Sequence, residues 1–418
     1  MNRYPSYKPS GVQWLGEIPS HWEVKRLASY FTERRVRVSD KEYDPLSVTK
    51  LGVFPQWENV AKTNDGDNRK LVKKGDFVIN SRSDRKGSSG VSDRDGSVSL
   101  INIVLQPRNT IRADFSNYLL KSYKFIEEYY RNGRGIVADL WTTRYDEMKM
   151  IKLAVPPLEE QTAIANYLDT ATAKIDAAIA QQQKMIDLLN ERKQIIINRA
   201  VTKGLNPNAK MKDSGVEWIG EVPEGWKIIP LKAIISFVNG YAFDSNDFKD
   251  EGEVKVIRIS NIADGTIDYE GIAFVHQNQS LCPYLTKAGD LLIAMSGATT
   301  GKVGFDDLGG AYVNQRVGII RSDFQKWVYY WLNTSYFKEY IYLSALGSAQ
   351  PNISSKGIKN FRILFPSIED YDRIVENLEL LCQKVDNAIG SCKNQISLLQ
   401  ERKQIIINEV VTGKVKVV

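Results

Sequence analysis

Two stretches of the chain carry apolar residues in alternating steps of four and three. The first runs Ile164, Leu168, Ala171, Ile175, Ala178, Met185, Leu189 and Ile196, with Gln182 and Arg192 interrupting. The second runs Ile374, Leu378, Leu381, Val385, Ala388, Cys392, Leu399 and Ile406, with Gln395 and Arg402 interrupting. That spacing predicts a long helix with one apolar seam in each stretch. Pro156 and Pro157 punctuate the first start, and Glu159 and Glu160 put acid in the first turn, where the helix dipole favours it. Gly204 and Gly413 are the expected stops. Each helix would run for about 40 residues, or about 60 Å at ~1.5 Å per residue. A single seam that long needs a partner. The other copy is the obvious one, and antiparallel packing would throw what precedes each helix to opposite ends.

What precedes each helix reads differently. Residues 1–155 and 205–365 contain short β-rich runs, such as 76–80, 100–105, 253–259 and 317–320, separated by Gly- and Asp-rich turns. Helical stretches intervene near 116–130 and 324–344. The expectation is α+β: two pseudo-symmetric globular domains, 1–155 and 205–365, separated by two long antiparallel helices, 156–204 and 366–418, forming a coiled coil.

The pseudo-symmetry is written in the sequence. Residues 10–22, SGVQWLGEIPSHW, return as 214–226, SGVEWIGEVPEGW, with eight of 13 positions identical. Residues 191–198, ERKQIIIN, return unchanged at 401–408. Residues 156–160 match 366–370, and 75–79 match 289–293. The matches are collinear and their period is far too long for a solenoid, so the chain is a duplicated two-part unit. Trp14, Trp22, Trp218 and Trp226 lie inside the repeat. Residues that match between two domains should serve their common framework, so these tryptophans read as a structural clasp rather than stacking platforms.

Of the net charge of +6 over 418 residues, the segment 1–155 carries a surplus of eight positive charges, while 205–365 is nearly neutral. The first has the electrostatic footprint of a polyanion binder; the second needs a local patch to act as one. Cys282, Cys382 and Cys392 form no CxxC pair, and with only His21 and His276 available a zinc site is not expected. No apolar run approaches the ~18 residues of a membrane span, and the start lacks a signal-peptide core. A cytoplasmic protein with reduced thiols is expected.

The arrangement resembles the specificity subunit of type I restriction–modification systems over essentially the whole chain. The likeness is carried by residues 214–223 (SGVEWIGEVP), 289–302 (GDLLIAMSGATTGK), 347–354 (GSAQPNIS) and 156–161 (PPLEEQ), in that family's arrangement around the duplication. It implies two target-recognition domains, each reading one half of a split sequence in double-stranded DNA. It also implies that the helices set the gap and dock two modification (methyltransferase) subunits. Those partners would carry S-adenosylmethionine and the adenine methyltransferase site, and motor-nuclease restriction subunits would join for cleavage. No cofactor is expected in this chain. The first domain departs from the family's wording, with NSRSDRK at 80–86 where the second has AMSGATT at 294–300.

Catalytic motifs are missing. No Asn/Asp-Pro-Pro-aromatic loop is present, since residues 206–208 read Asn-Pro-Asn. Residues 297–302, GATTGK, are one residue short of a phosphate loop, and Val303 stands where Ser or Thr would bind Mg²⁺. Glu253 and Lys255 lack a preceding aspartate for a nuclease metal site, and neither histidine sits in a triad. The chain therefore reads as a non-catalytic subunit. The rivals are a stand-alone DNA-binding or anti-restriction protein of the same fold, and a fused restriction–methylation enzyme, for which the methyltransferase loop is missing.

For DNA contact two loop pairs stand out. Arg82, Arg85 and Lys86 can take phosphates or the O6/N7 face of guanine, among serines and glycines that allow close approach. The counterpart, with Thr299, Thr300 and Lys302, is less charged and suits hydrogen bonds to backbone and base edges. The second pair sets Arg134, Thr143 and Arg144 against Ser348, Gln350 and Asn352, whose amides can pair bidentately with adenine. Arg258, Asn261, Asn314 and Arg316 complete the candidates. Taken singly, each loop is also readable as a solvated polar turn, and each of the last four as a strand-end surface residue.

Overall fold

The computed structural model describes residues 3–56, 66–135, 141–216, 219–344 and 351–417. Its six principal helices are α1 (Ala113–Lys121), α2 (Tyr123–Arg131), α3 (Leu158–Lys203), α4 (Gln325–Leu332), α5 (Ser335–Ser344) and α6 (Ile368–Val411). The chain divides into two compact units, Met1–Gln183 with Lys393–Val418, and Lys184–Cys392. Both units are α+β, and each contains part of α3 and part of α6.

In unit 1 a four-stranded antiparallel sheet has the order Ser89–Val91, Phe77–Asn80, Asn102–Pro107, Phe31–Glu33. A three-stranded sheet, Gly96–Val98, Arg69–Val72, Arg37–Val38, packs against it. The central strand reads Phe-Val-Ile without alternation because both of its faces are covered. Phe77 and Ile79 join the main core with Phe115, Leu119 and Phe125 of α1 and α2, while Val78 joins Val72, Val98 and Val104 in a smaller one. Unit 2 repeats the scheme. Leu291 and Ile293 of strand Asp290–Ala294 face the core holding Trp327, Trp331 and Phe337, and Leu292 and Ala294 face a second cluster. Buried Ser122 accepts from Phe125 N (3.3 Å) to cap α2, and buried Thr334 accepts from Phe337 N (3.2 Å) at the start of α5.

Within unit 1, α3 and α6 run antiparallel. Trp22 donates from Nε1 to Glu160 at the start of α3 (3.1 Å) and lies against Gly413 just past the end of α6, while further along Lys403 pairs with Asp176 (2.6 Å). Within unit 2 the same holds. Lys203 and Gly204 share a pocket with Asp370 and Arg373 beside Trp226, and Lys193 pairs with Asp386 (2.7 Å). The repeated octet thereby gains a structural role in each unit. Its lysine holds the opposing helix, and its asparagine, Asn198 or Asn408, accepts from the backbone N–H of Ser335 or Lys124 (3.2 Å each).

Trp22 and Trp226 are buried in the two cores; Trp14 is partly buried and meets Phe125 edge-on (6.2 Å), and Trp218 lies outside the described residues. The expected seam needs one correction. Met185 is exposed and Ile186 is buried in its place, and Ile389 is more deeply covered than Ala388. A straight helix of 3.6 residues per turn drifts from a strict 3.5 repeat, and the buried stripe slips one position midway along each helix.

Candidate nucleic-acid interface

In each unit the central strand of the larger sheet ends in a short loop closed by a 3₁₀ turn, and a second segment pairs with that loop. In unit 1, Asn80 Oδ1 accepts from Arg82 N (3.0 Å) and starts the turn Ser83–Arg85; Gly87, at φ +80°, lets the chain return so that Asn80 N reaches Ser88 O (2.9 Å). In unit 2, Gly297 and Gly301 take φ +77° and +84°, the turn is Gly297–Thr299, and Ala294 N reaches Lys302 O (2.9 Å). The second segment is 141–143 in unit 1, where Ser83 N bonds Trp141 O and Thr143 N bonds Ser81 O (3.1 and 3.0 Å). In unit 2 it is 351–353, where Gly297 N bonds Pro351 O and Ile353 N bonds Met295 O (3.1 and 2.9 Å). The bonding aligns the units residue by residue: Arg82 with Ser296, Arg85 with Thr299, Lys86 with Thr300, and Thr142 with Asn352.

On this shared framework unit 1 displays cations. Arg82 is exposed; Arg85 is exposed beside Asp84 (3.7 Å); Lys86 pairs with Glu127 (2.6 Å) and sits over the Tyr130 ring (5.7 Å). Burial pushes the Tyr130 hydroxyl up to about 12, so it stays protonated and donates to the Arg82 carbonyl (3.1 Å), fixing the loop from beneath. Arg134, on a ladder with Thr142, is exposed near Glu147 (3.3 Å), and Arg144 is exposed beside it. The structure therefore brings Arg82, Arg85, Lys86, Arg134 and Arg144 into one loop cluster. Thr143 is withdrawn from the candidates. It is fully buried, its hydroxyl donates to Tyr129 O (3.1 Å), and its carbonyl accepts from Tyr129 (3.0 Å).

Unit 2 has few charges at the same places. Thr299 donates to Ile259 O (3.2 Å), Thr300 to Gly297 O and Pro351 O (2.7 and 3.0 Å), and Asn352 is exposed opposite Ser296. Lys302 is exposed near Asp264 (3.8 Å). Ser348 and Gln350 lie outside the described residues. Asn261 is also withdrawn: it is buried, accepting from Arg258 N (3.0 Å) and donating to Asp268 O (3.1 Å). Arg258, Asn314 and Arg316 come together instead, lining a cleft of about 320 Å³ with Phe243, Ser260 and Gln315. Phe243 and Gln315 escaped the sequence reading, and so did two residues that hold this region together. Phe248 lies under the Arg258 guanidinium (5.7 Å), and Gly240 packs so closely that any Cβ would overlap the Asn314 carbonyl. Only the Asn-Gly pair at 239–240 signalled the second.

The described residues hold no group of three or more His, Cys, Asp or Glu placed to bind a metal, and the three cysteines are free thiols. No helix among them is long and apolar enough to cross a membrane. The family model for the type I restriction modification DNA specificity domain matches residues 19–186 and again 223–396. The chain belongs to that specificity family. Each match begins at the proline preceding the buried tryptophan and ends within a long helix. Two relatives come from Methanocaldococcus jannaschii. The type I restriction enzyme MjaVIII specificity subunit is 27% identical, covering 96% of this chain and 94% of its own length; the putative MjaX specificity subunit is 24% identical, covering 96% of each. Among solved structures, a chain from work on complex assembly and conformational transition of the type I R-M system covers 94% of this chain and 98% of its own. Its TM-score of 0.68 at 16% identity is a likeness of fold.

Proposed function

We propose that this specificity subunit reads a bipartite target in double-stranded DNA, one half-site per unit, through the loop pair at the end of each central strand. The observation that carries this is the residue-by-residue alignment of the two loop pairs. The backbone framework is the same, while the displayed side chains differ, Arg82 against Ser296 and Arg85 against Thr299. A common scaffold holds register through phosphates, and variable side chains specify bases.

The chain itself is non-catalytic in this reading. Methyl transfer belongs to two modification subunits carrying S-adenosylmethionine, cleavage to motor-nuclease subunits, and the complex works in the cytoplasm. A docking surface for the modification subunits is supported by the helices. Leu188 and Ile195 on α3, and their repeat counterparts Leu398 and Ile405 on α6, are each about half exposed although the repeat keeps them apolar. Apolar residues held at matched exposed positions suit a partner helix.

Methylation mapping in cells with and without the gene tests the whole reading. The expected result is a split adenine-methylated motif that disappears with the gene. Leu188→Glu with Leu398→Glu should abolish methylation while the purified chain still selects the same duplexes. Methyl transfer by the purified chain without partner subunits would overturn the division of labour.

A further inference from the structure

The cleft of unit 2 lies beside its loop pair and shares a wall with it. Met295 N bonds Arg316 O (2.9 Å), and Met295 O in turn accepts from Ile353 N, so Arg316, Met295 and Ile353 are consecutive across one edge. The turn carrying Arg316 is rigid. Val317 N closes it onto Asn314 O (2.8 Å), Asn314 N is tied to Ile257 O (2.9 Å), Asn314 Oδ1 accepts from Gln315 N (2.8 Å), and Gly240 packs against its carbonyl. On the opposite wall, Arg258 is held by its backbone bond to Asn261 and by the Phe248 ring. Its Nε is buried with no partner among the described residues. The corresponding turn in unit 1, closed by Asn102 N on Ser99 O (3.0 Å), carries Ser99, Leu100 and Ile101 and no charge.

We infer that unit 2 grips its half-site at this cleft, with Arg258 anchoring a backbone phosphate and Arg316 reading a guanine. This deepens, and rests on, the reading that unit 2 contacts DNA. Phosphates stand out from the duplex and fit a concavity, so the recessed and immobilised Arg258 takes the phosphate. Base edges lie inside the groove and must be reached by a projecting side chain, and Arg316 is exposed on a rigid turn. Its planar fork can donate to guanine O6 and N7 at once. The cation surplus that unit 1 places on its loop pair is thereby supplied in unit 2 by the neighbouring cleft.

The test uses the full-length chain with a randomised duplex library, followed by titrations of the selected duplex at several salt concentrations. Selection of a bipartite sequence by the wild type is the control for the earlier reading; its failure counts against that reading. Given that control, Arg316→Ala, which truncates an exposed side chain, should keep the fold. It should erase the preference for guanine at one position of one half-site, a change of about 5- to 150-fold against the other bases. Arg258→Gln should weaken all duplexes alike and lower the log–log salt slope by about 1. Arg258→Lys, which retains the charge, should recover affinity and separates charge loss from misfolding. The inference is overturned if Arg316→Ala leaves every base preference intact, or if Arg258→Gln changes a base preference instead of the salt slope.

Discussion

Unit 1 and unit 2 carry their arginines in different places on one backbone framework. In unit 1, arginines stand on the loop pair itself: Arg82, Arg85, Arg134 and Arg144 are all exposed there. In unit 2 the same backbone carries Ser296, Thr299 and Asn352, and the arginines, Arg258 and Arg316, sit in the adjoining cleft. The main backbone hydrogen bonds that close the loops correspond between the units, so duplication preserved the framework while the chemistry moved. Even a framework ion pair shows this. Asp76 is held bidentately by Arg34, its counterpart Asp290 by Arg321, and each aspartate accepts from the backbone N–H three residues earlier (2.8 Å). The acid keeps its place; its arginine comes from just past strand Phe31–Glu33 in unit 1 and from the end of strand Val317–Arg321 in unit 2.

The comparison breaks most visibly if the tryptophans are not framework. Trp22→Ala should cost about 3–5 kcal/mol through loss of a fully buried aromatic and its bond to Glu160. Trp226→Ala should cost a similar amount in unit 2, where Trp226 meets Trp327 edge-on (6.0 Å). Urea unfolding of the two variants reads both losses. Normal stability with weakened DNA binding would make them stacking platforms instead.

Next in size is the division between displayed and buried loop residues. Arg82→Ala with Arg85→Ala should reduce discrimination in one half-site by about 1–3 kcal/mol for each base edge no longer bonded. Asn352→Ala should act on the other half-site. Competition with duplexes scrambled in one half at a time separates them, and loss of the same half by both would sink the one-unit, one-half assignment. Thr143→Val supplies the contrast inside unit 1. It strands the Tyr129 carbonyl and should lower stability by ~1–3 kcal/mol without changing base preference.

Legibility in the sequence followed the same line between framework and chemistry. The long helices, the duplication and the strand-ending loops were readable because apolar periodicity, repeated words and Gly signals are local. Met185 was misplaced because a fixed heptad ignores helical drift, which only packing corrects. Thr143 and Asn261 looked like donors for DNA because a polar letter does not say whether a neighbouring carbonyl has already claimed it. Arg258, Asn314 and Arg316 were named singly as candidates, but their meeting in one cleft could not be read. Arg258 and Arg316 are 58 positions apart, and Phe248, which orients one of them, carries no polar signal.

The smallest expected effect is also the finest test of how alike the two frameworks are. Gly204 and Gly413 end α3 and α6 in the left-handed region, at φ +71° and +72°. Any L residue there costs about 1–2 kcal/mol, because its Cβ crowds the following carbonyl. That penalty is common to both positions, so it cancels when the alanine variants are compared. What remains is the room for the methyl group. At Gly204 the new Cβ would meet the edge of the Trp226 ring at 3.2 Å, a contact that a slight ring shift relieves. At Gly413 it would overlap the ring of Pro19, which is fixed to its own backbone, with Trp22 3.3 Å away on the other side. Gly413→Ala should therefore be the more destabilising variant, by about 1–2 kcal/mol in the range typical of overpacking. Urea midpoints of the two full-length variants measure the difference directly. Equal losses would mean that the end of α6 in unit 1 is no more tightly held than the end of α3 in unit 2.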